Sequence, residues 1–203
     1  MFITFEGGEG TGKTTLIEII KNRLEEKGYE VVLTREPGGK GSEFSEKIRD
    51  LVLDAKYQHV NKYTEALLYA ASRAQHLDEV IIPAVKNKKI VLCDRYLDSS
   101  LAYQAYAREL GLDYVLEINK YALNFLPDLT FYIDIDPKVG ISRIKNREKY
   151  DRLDKEAIAF HEKVRNGYLD LVKQFSERIV QIEGTKSIAE IAVLMIEEIN
   201  ERL

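Results

Sequence analysis

The sequence contains no tryptophan, one cysteine, three histidines and four prolines in 203 residues, and each scarcity removes a class of protein. A lone Cys93 excludes an intramolecular disulfide, and His59, His76 and His161 are too scattered for a zinc pattern. Cys93 follows Ile90-Val91-Leu92 and reads as strand filling, because a free thiol packs as a small hydrophobe. His161 shares a helical stripe with Ala157, Val164 and Tyr168 and reads as packing. No apolar run approaches the roughly 20 residues that span a bilayer, so no membrane partner is expected. The segment Met1-Phe2-Ile3-Thr4-Phe5-Glu6 lacks the basic start and small-residue cleavage site of a secretion signal, so the expected location is cytoplasmic. A net charge of −4 gives no general field for a nucleic acid polymer. With 45% of its residues hydrophobic, the chain is not a disordered one.

What is present is an alternation of strand-length and helix-length patterns. Phe2 to Phe5, Val31 to Thr34, Ile90 to Cys93, Leu129 to Ile135 and Ile179 to Ile182 are short runs rich in β-branched or aromatic residues, as buried parallel strands require. Helical patterns lie between them, at roughly 13–28, 41–55, 63–87, 98–126 (broken near Gly111), 137–147 and 154–176. Asp136-Pro137 marks a helix start, and Ser187 with Glu190 forms a capping-box signature before the last helix. Such alternation predicts right-handed βαβ units, a five-stranded parallel sheet between two helical layers. Ligands in these sheets bind beyond the carboxyl ends of the strands. No repeat, low-complexity tract or linker divides the chain, so 1–203 reads as a single domain. The stretch from Arg143 to Arg152 is dense in charge and poor in core residues, and reads as a mobile lid over an anion at about 143–154.

Gly7-Gly8-Glu9-Gly10-Thr11-Gly12-Lys13-Thr14 matches G-x-x-x-x-G-K-[ST] between a strand and a helix, the context a phosphate loop requires. Its glycines let several amides and a helix N-terminus point at phosphate. Lys13 would neutralise the β- and γ-phosphates, and Thr14 would place its hydroxyl on magnesium. Glu9 is unfavourable inside a phosphate cradle, so it must face something else, such as a sugar hydroxyl or a metal-bound water. The guanine-reading N-K-x-D and the D-x-x-G of signalling GTPases are both absent, which leaves a small P-loop kinase with a second anionic substrate. Ile90-Val91-Leu92-Cys93-Asp94-Arg95 reads as an apolar strand ending in a magnesium-binding acid, with Arg95 facing the phosphates. Tyr69 and Arg73 are four apart on one helix face and could grip a base.

These motifs, in this order, resemble the thymidylate kinase family over nearly the whole chain. The resemblance rests on the loop with its acid at Glu9, Arg35-Glu36-Pro37-Gly38-Gly39, Tyr69 to Arg73, Asp94-Arg95-Tyr96 with Ser99-Ser100, Ala102-Tyr103-Gln104, and Asp151-Arg152. It implies transfer of the γ-phosphoryl of ATP to dTMP, with magnesium and a homodimer. It implies ATP contacts from Gly7 to Thr15 and from Arg143. Tyr69 would stack on thymine in place of the usual phenylalanine. Arg73 and Gln104 would bond the pyrimidine edge, with Ser100 near the base and Glu36 and Pro37 shaping the pocket. Tyr103 would lie against the sugar, Glu9 would take the 3′-hydroxyl or a magnesium-bound water, and Arg49 and Arg95 would hold the acceptor phosphate. One group of the family carries a catalytic arginine in the phosphate loop, where this chain has Gly10. The other carries it in the lid, where this chain has Arg143, Arg147 and Arg152; Arg147 and Arg152 are the preferred pair. A kinase for another deoxynucleotide or a deoxynucleoside, and a non-catalytic P-loop switch, are the alternatives.

Overall fold

The structure, a computed structural model, describes residues 1–57, 59–144, 152–154 and 156–203. Its sheet contains β1 (Phe2–Glu6), β2 (Val31–Arg35), β3 (Ile90–Asp94), β4 (Leu129–Asp134) and β5 (Ile179–Glu183). All pairings are parallel, in the order β2-β3-β1-β4-β5. The five expected strands are therefore present, each within two residues of its expected bounds. Register places Asp94 level with Phe5 on one side and Arg35 on the other, so three functional segments leave the sheet at one edge.

Strand alternation feeds two separate cores. Ile3, Phe5, Leu92, Phe131 and Ile133 face α1 (Lys13–Glu26) and α9 (Ile188–Arg202), where Leu16, Ile20, Met195 and Ile199 are buried. Phe2, Val91, Cys93 and Tyr132 face the opposite layer, whose centre is α8 (Ile158–Gln174) with Val164, Tyr168 and Leu171. Each fully buried side chain of this size contributes about 1.5–3 kcal/mol against the cost of chain ordering. The Ser187–Glu190 capping box starts α9 as expected, and Asp136 Oδ1 accepts from Lys138 N at the start of α7 (Pro137–Ile144). Cys93 is buried strand filling, and burial pushes its thiol well above the ordinary range.

Within the long helical stretches the coil changes pitch where the sequence predicted regular helix. After α2 (Glu43–Leu53), α3 (Lys62–His76) passes through a π-helical turn, Leu77–Ile81, into α4 (Ile82–Lys86). Ile82 N reaches back five residues to Leu77 O, widening the coil just before Pro83, which has no N–H to continue an ordinary ladder. The stretch expected at 98–126 divides into α5 (Leu97–Ser100), π-helical Leu101–Ala107, α6 (Leu112–Ile118) and a 3-10 turn at Ala122–Phe125. Its break falls at Gly111, whose φ of +82° explains the glycine. Among the described residues no helix is long and apolar enough to cross a membrane.

Candidate active site

The loop between β1 and α1 turns through Gly7, Gly10 and Gly12, with φ of +142°, +69° and +83°, conformations that side chains with a Cβ rarely adopt. A Cβ on Gly10 would stand 2.2 Å from Gly140 O in the middle of α7. The phosphate loop and the helix leading into 143–154 thus touch backbone to backbone, and an arginine at position 10 has no room. Lys13 is buried, and its Nζ donates to Gly7 O (3.1 Å), Gly8 O (2.9 Å) and Thr11 Oγ1 (3.2 Å). Its three donors are thereby occupied within the loop. Burial, reinforced by Arg95, brings its pKa down to about 8. Thr14 and Thr15 are exposed at the mouth of the cleft.

At the end of β3, Arg95 adopts φ +68° and its N–H bonds Phe5 O at 2.9 Å, which turns the side chain over the sheet edge. The guanidinium donates to Glu9 Oε1 (2.6 Å), Ser99 Oγ (3.3 Å) and Tyr168 Oη (3.4 Å), and lies 5.2 Å from the Tyr103 ring centre. Glu9 also accepts from Tyr103 Oη at 3.4 Å. The acid in the cradle therefore faces an arginine and a phenol. Beneath them Glu6 is buried and accepts from Tyr96 N (2.7 Å), Ser99 Oγ (2.6 Å) and Tyr168 Oη (2.8 Å). Burial and then Asp98 raise its pKa to about 7. Asp94 Oδ1 is buried with no hydrogen-bond partner among the described residues, as an oxygen reserved for a cation would be.

The far wall begins at the cis Glu36–Pro37 bond. Glu36 accepts from Arg73 Nε at 2.7 Å and faces His76 Nδ1 at 3.1 Å, while His76 Nε2 meets Thr34 Oγ1 at 2.6 Å. Arg73, only 2% exposed, also donates to Asn119 Oδ1 (2.6 Å), Tyr96 O (3.1 Å) and Ser100 Oγ (3.0 Å). Arg49 donates to Pro37 O at 2.8 Å. Tyr103 and Gln104 reach the wall from the π-helical segment. A cleft of about 320 Å³ runs from the phosphate loop past Asp94 and Arg95 to Pro37, Arg49, Tyr69, Arg73, Ser100, Tyr103 and Gln104. That volume suits a small-molecule site.

The lid arginines are placed differently. Arg143 is exposed and donates to Gly10 O at 3.3 Å, beside the phosphate loop. Arg147 lies outside the described residues. Arg152 is not brought to the phosphate loop. It is buried, with its Nε on Val52 O at 3.1 Å and its Nη2 on Glu65 Oε2 at 2.6 Å. Glu65, Asn119, Glu6 and Tyr168 were missed as site residues by sequence reasoning. For Glu65 a signal existed: it precedes Tyr69 and Arg73 by one and two helical turns on the same stripe of α3.

A glycine loop after β1, an acid ending β3 and a second cationic wall across one cleft define a P-loop phosphotransferase, an enzyme joining two phosphorylated ligands. Comparison with known proteins makes the assignment particular. The thymidylate kinase family model matches residues 5–194. A thymidylate kinase of Acholeplasma laidlawii is 58% identical with all of both chains covered, and one of Geobacillus sp. is 50% identical over all of this chain and 97% of that one. The crystal structure of thymidylate kinase from Ehrlichia chaffeensis superposes with a TM-score of 0.81 at 33% identity, covering 98% of each chain. The chain belongs to the thymidylate kinase family.

Proposed function

We propose that the cleft transfers the γ-phosphoryl of ATP to dTMP, giving dTDP and ADP. The observation that carries this reading is the continuity of one cleft from the Gly7–Thr14 loop to the wall of Tyr69, Arg73 and Gln104. The loop takes the ATP phosphates, with Thr15 and Arg143 beside them, and Lys13 leaves its loop carbonyls for phosphate oxygens. Arg95 and Arg49 hold the acceptor phosphate, Tyr103 packs on the deoxyribose, Glu9 takes the 3′-hydroxyl, and Tyr69 stacks on thymine above Pro37 and Ser100. An acceptor phosphate oxygen attacks the γ-phosphorus in line as the bond to the β-bridging oxygen breaks. No strong base is required, because the acceptor is already ionised near pH 7. Catalysis is positioning plus charge neutralisation.

Magnesium fits the residues present. Thr14 and Asp94 would hold it, and the unpartnered Asp94 Oδ1 supports this. Among the described residues no three acidic, histidine or cysteine side chains converge, so the remaining oxygens would come from phosphates and water, the usual arrangement for this ion. The metal supplies charge neutralisation on the phosphates.

The chain reads as one domain, 1–203, and the expected lid at about 143–154 lies mostly outside the described residues. The seat of Arg152 on Glu65 supports a role in anchoring its segment, and Arg143 stands beside the phosphate loop; Arg147, the other arginine expected to be catalytic, lies outside the described residues. A homodimer is supported by the exposed apolar side chains Phe44 and Leu51 on α2 and Tyr63 and Leu67 on α3. The substrates and the free buried thiol support a cytoplasmic location. A coupled ADP-release assay across dTMP, dUMP, dCMP, AMP and thymidine tests the activity. Preference for another acceptor sinks it, and saturable dTMP binding without ADP production would favour a switch protein.

A further inference from the structure

We propose that Glu65 is a positioning residue that fixes the orientation of the Gln104 amide and so sets the preference for thymine over cytosine; this rests on the acceptor-site reading above. Glu65 is fully buried on α3, and its Oε1 accepts from Gln104 Nε2 at 2.9 Å. A carboxylate accepts and never donates, so Gln104 must turn its N–H₂ toward Glu65 and leave its carbonyl oxygen to the cleft it lines. That oxygen matches the N3–H of thymine. Cytosine presents a lone pair at N3, and the two acceptors would repel.

Ionisation of Glu65 is what makes the orientation obligatory, because the carboxylate has no proton to donate. Burial opposes its charge, but Arg108, Gln104 and Arg152 outweigh burial and bring its pKa below the ordinary value. Arg108 donates to both of its oxygens at 3.3 Å, and Arg152 donates to Oε2 at 2.6 Å. Arg73 cannot supply the missing acceptor, since a guanidinium only donates and four of its bonds are already committed. One buried anion therefore serves both the base-reading amide and an arginine of the lid segment.

The test is the ratio of kcat/KM for dTMP to kcat/KM for dCMP, with thermal melts run alongside. Glu65→Gln offers Gln104 a group that can donate, and the ratio is expected to fall at least about tenfold, because mispairing at a buried hydrogen-bonding site is a strong discriminator. The exchange Glu65→Gln with Gln104→Glu conserves charge and puts an acceptor at position 104, so the ratio is expected to return to within about threefold of wild type. An unchanged ratio in Glu65→Gln overturns the proposal even if stability drops, and so does an exchange that fails to restore it. Where Glu65→Gln does not fold, the charge-conserving exchange decides alone, by whether the ratio holds. Gln104→Leu separates the two levels. If it leaves the ratio unchanged, the acceptor-site reading fails; if it lowers the ratio while Glu65→Gln does not, only the role of Glu65 fails.

Discussion

Arg95 and Glu9, 86 residues apart in sequence, meet at 2.6 Å across the mouth of the cleft. Each is a counter-charge to the other in a partly buried site, so removing one weakens the electrostatic hold on the other.

Arg95→Met is therefore expected to lower kcat/KM for dTMP by at least about 100-fold, the scale of losing one charge-stabilising donor at a transferring group. It should also lower the melting temperature, because Glu9 loses its 2.6 Å ion pair. Adding Glu9→Gln should restore the melting temperature but not the activity. Recovery of turnover in the double variant would remove Arg95 from the chemistry.

Lys13 carries a pH prediction. With its pKa near 8 in the free protein, it is largely neutral at pH 9, and phosphate binding must charge it again. Nucleotide binding at pH 9 should take up close to one proton, and affinity for ADP should fall about tenfold per pH unit above 8. Calorimetry at pH 9 in two buffers of different ionisation enthalpy measures this uptake. Identical binding heats in both would show that the lysine stays charged throughout.

The parts of the site that were legible in the sequence are those made by neighbours in the chain. Gly7 to Thr14, the acid ending β3, the Asp136-Pro137 start and the Ser187–Glu190 box are short-range devices whose chemistry fixes their geometry. The bonds of Arg73 to Asn119 and of Gln104 to Glu65 cross 46 and 39 residues, and no local pattern announces them. The π-helical segments escaped for a different reason. A single extra residue per turn leaves apolar spacing almost unchanged while rotating the side chains that follow. Arg152 was read from its charge as a lid cation, and its seat on the buried carboxylate of Glu65, 87 residues away, has no local signal.

Gly10 and Gly8 make a matched pair for the loop. Gly10→Ala puts a Cβ 2.2 Å from Gly140 O at φ +69°, and is expected to destabilise the protein by about 1–3 kcal/mol and to abolish the thermal shift given by ADP. Gly8 has nothing within 4 Å of an added Cβ, so Gly8→Ala should fold with a melting temperature near wild type. Equal melting temperatures for the two variants would contradict the close contact with Gly140.

Glu6 predicts the opposite pH trend from an ordinary paired carboxylate. Its pKa rises on folding, through burial first, from near 4.5 to about 7. The folded state then binds more protons than the unfolded one, and the contribution to stability present below pH 4.5 is lost as pH rises through 7. Relative to Glu6→Gln, wild type should be more stable at pH 4.5 than at pH 8. Chemical denaturation of both proteins at the two pH values measures the difference, and a constant difference would refute the shift.

The pairing of Arg95 with Glu9 has parallels along the cleft, in Arg73 with Glu36 and Arg35 with Glu46. Each cation meets its ligands already holding an internal anion. At Arg95, phosphate entry is an exchange of one anion for another, not a capture by bare positive charge, while Lys13 and Arg49 exchange backbone carbonyls for phosphate oxygens. An exchanger of this kind favours a multivalent guest over a monoanion, because the incoming charge has to compete with a tethered carboxylate. It also returns to its resting pairs when product leaves, which keeps a site able to grip two nucleotides from retaining either.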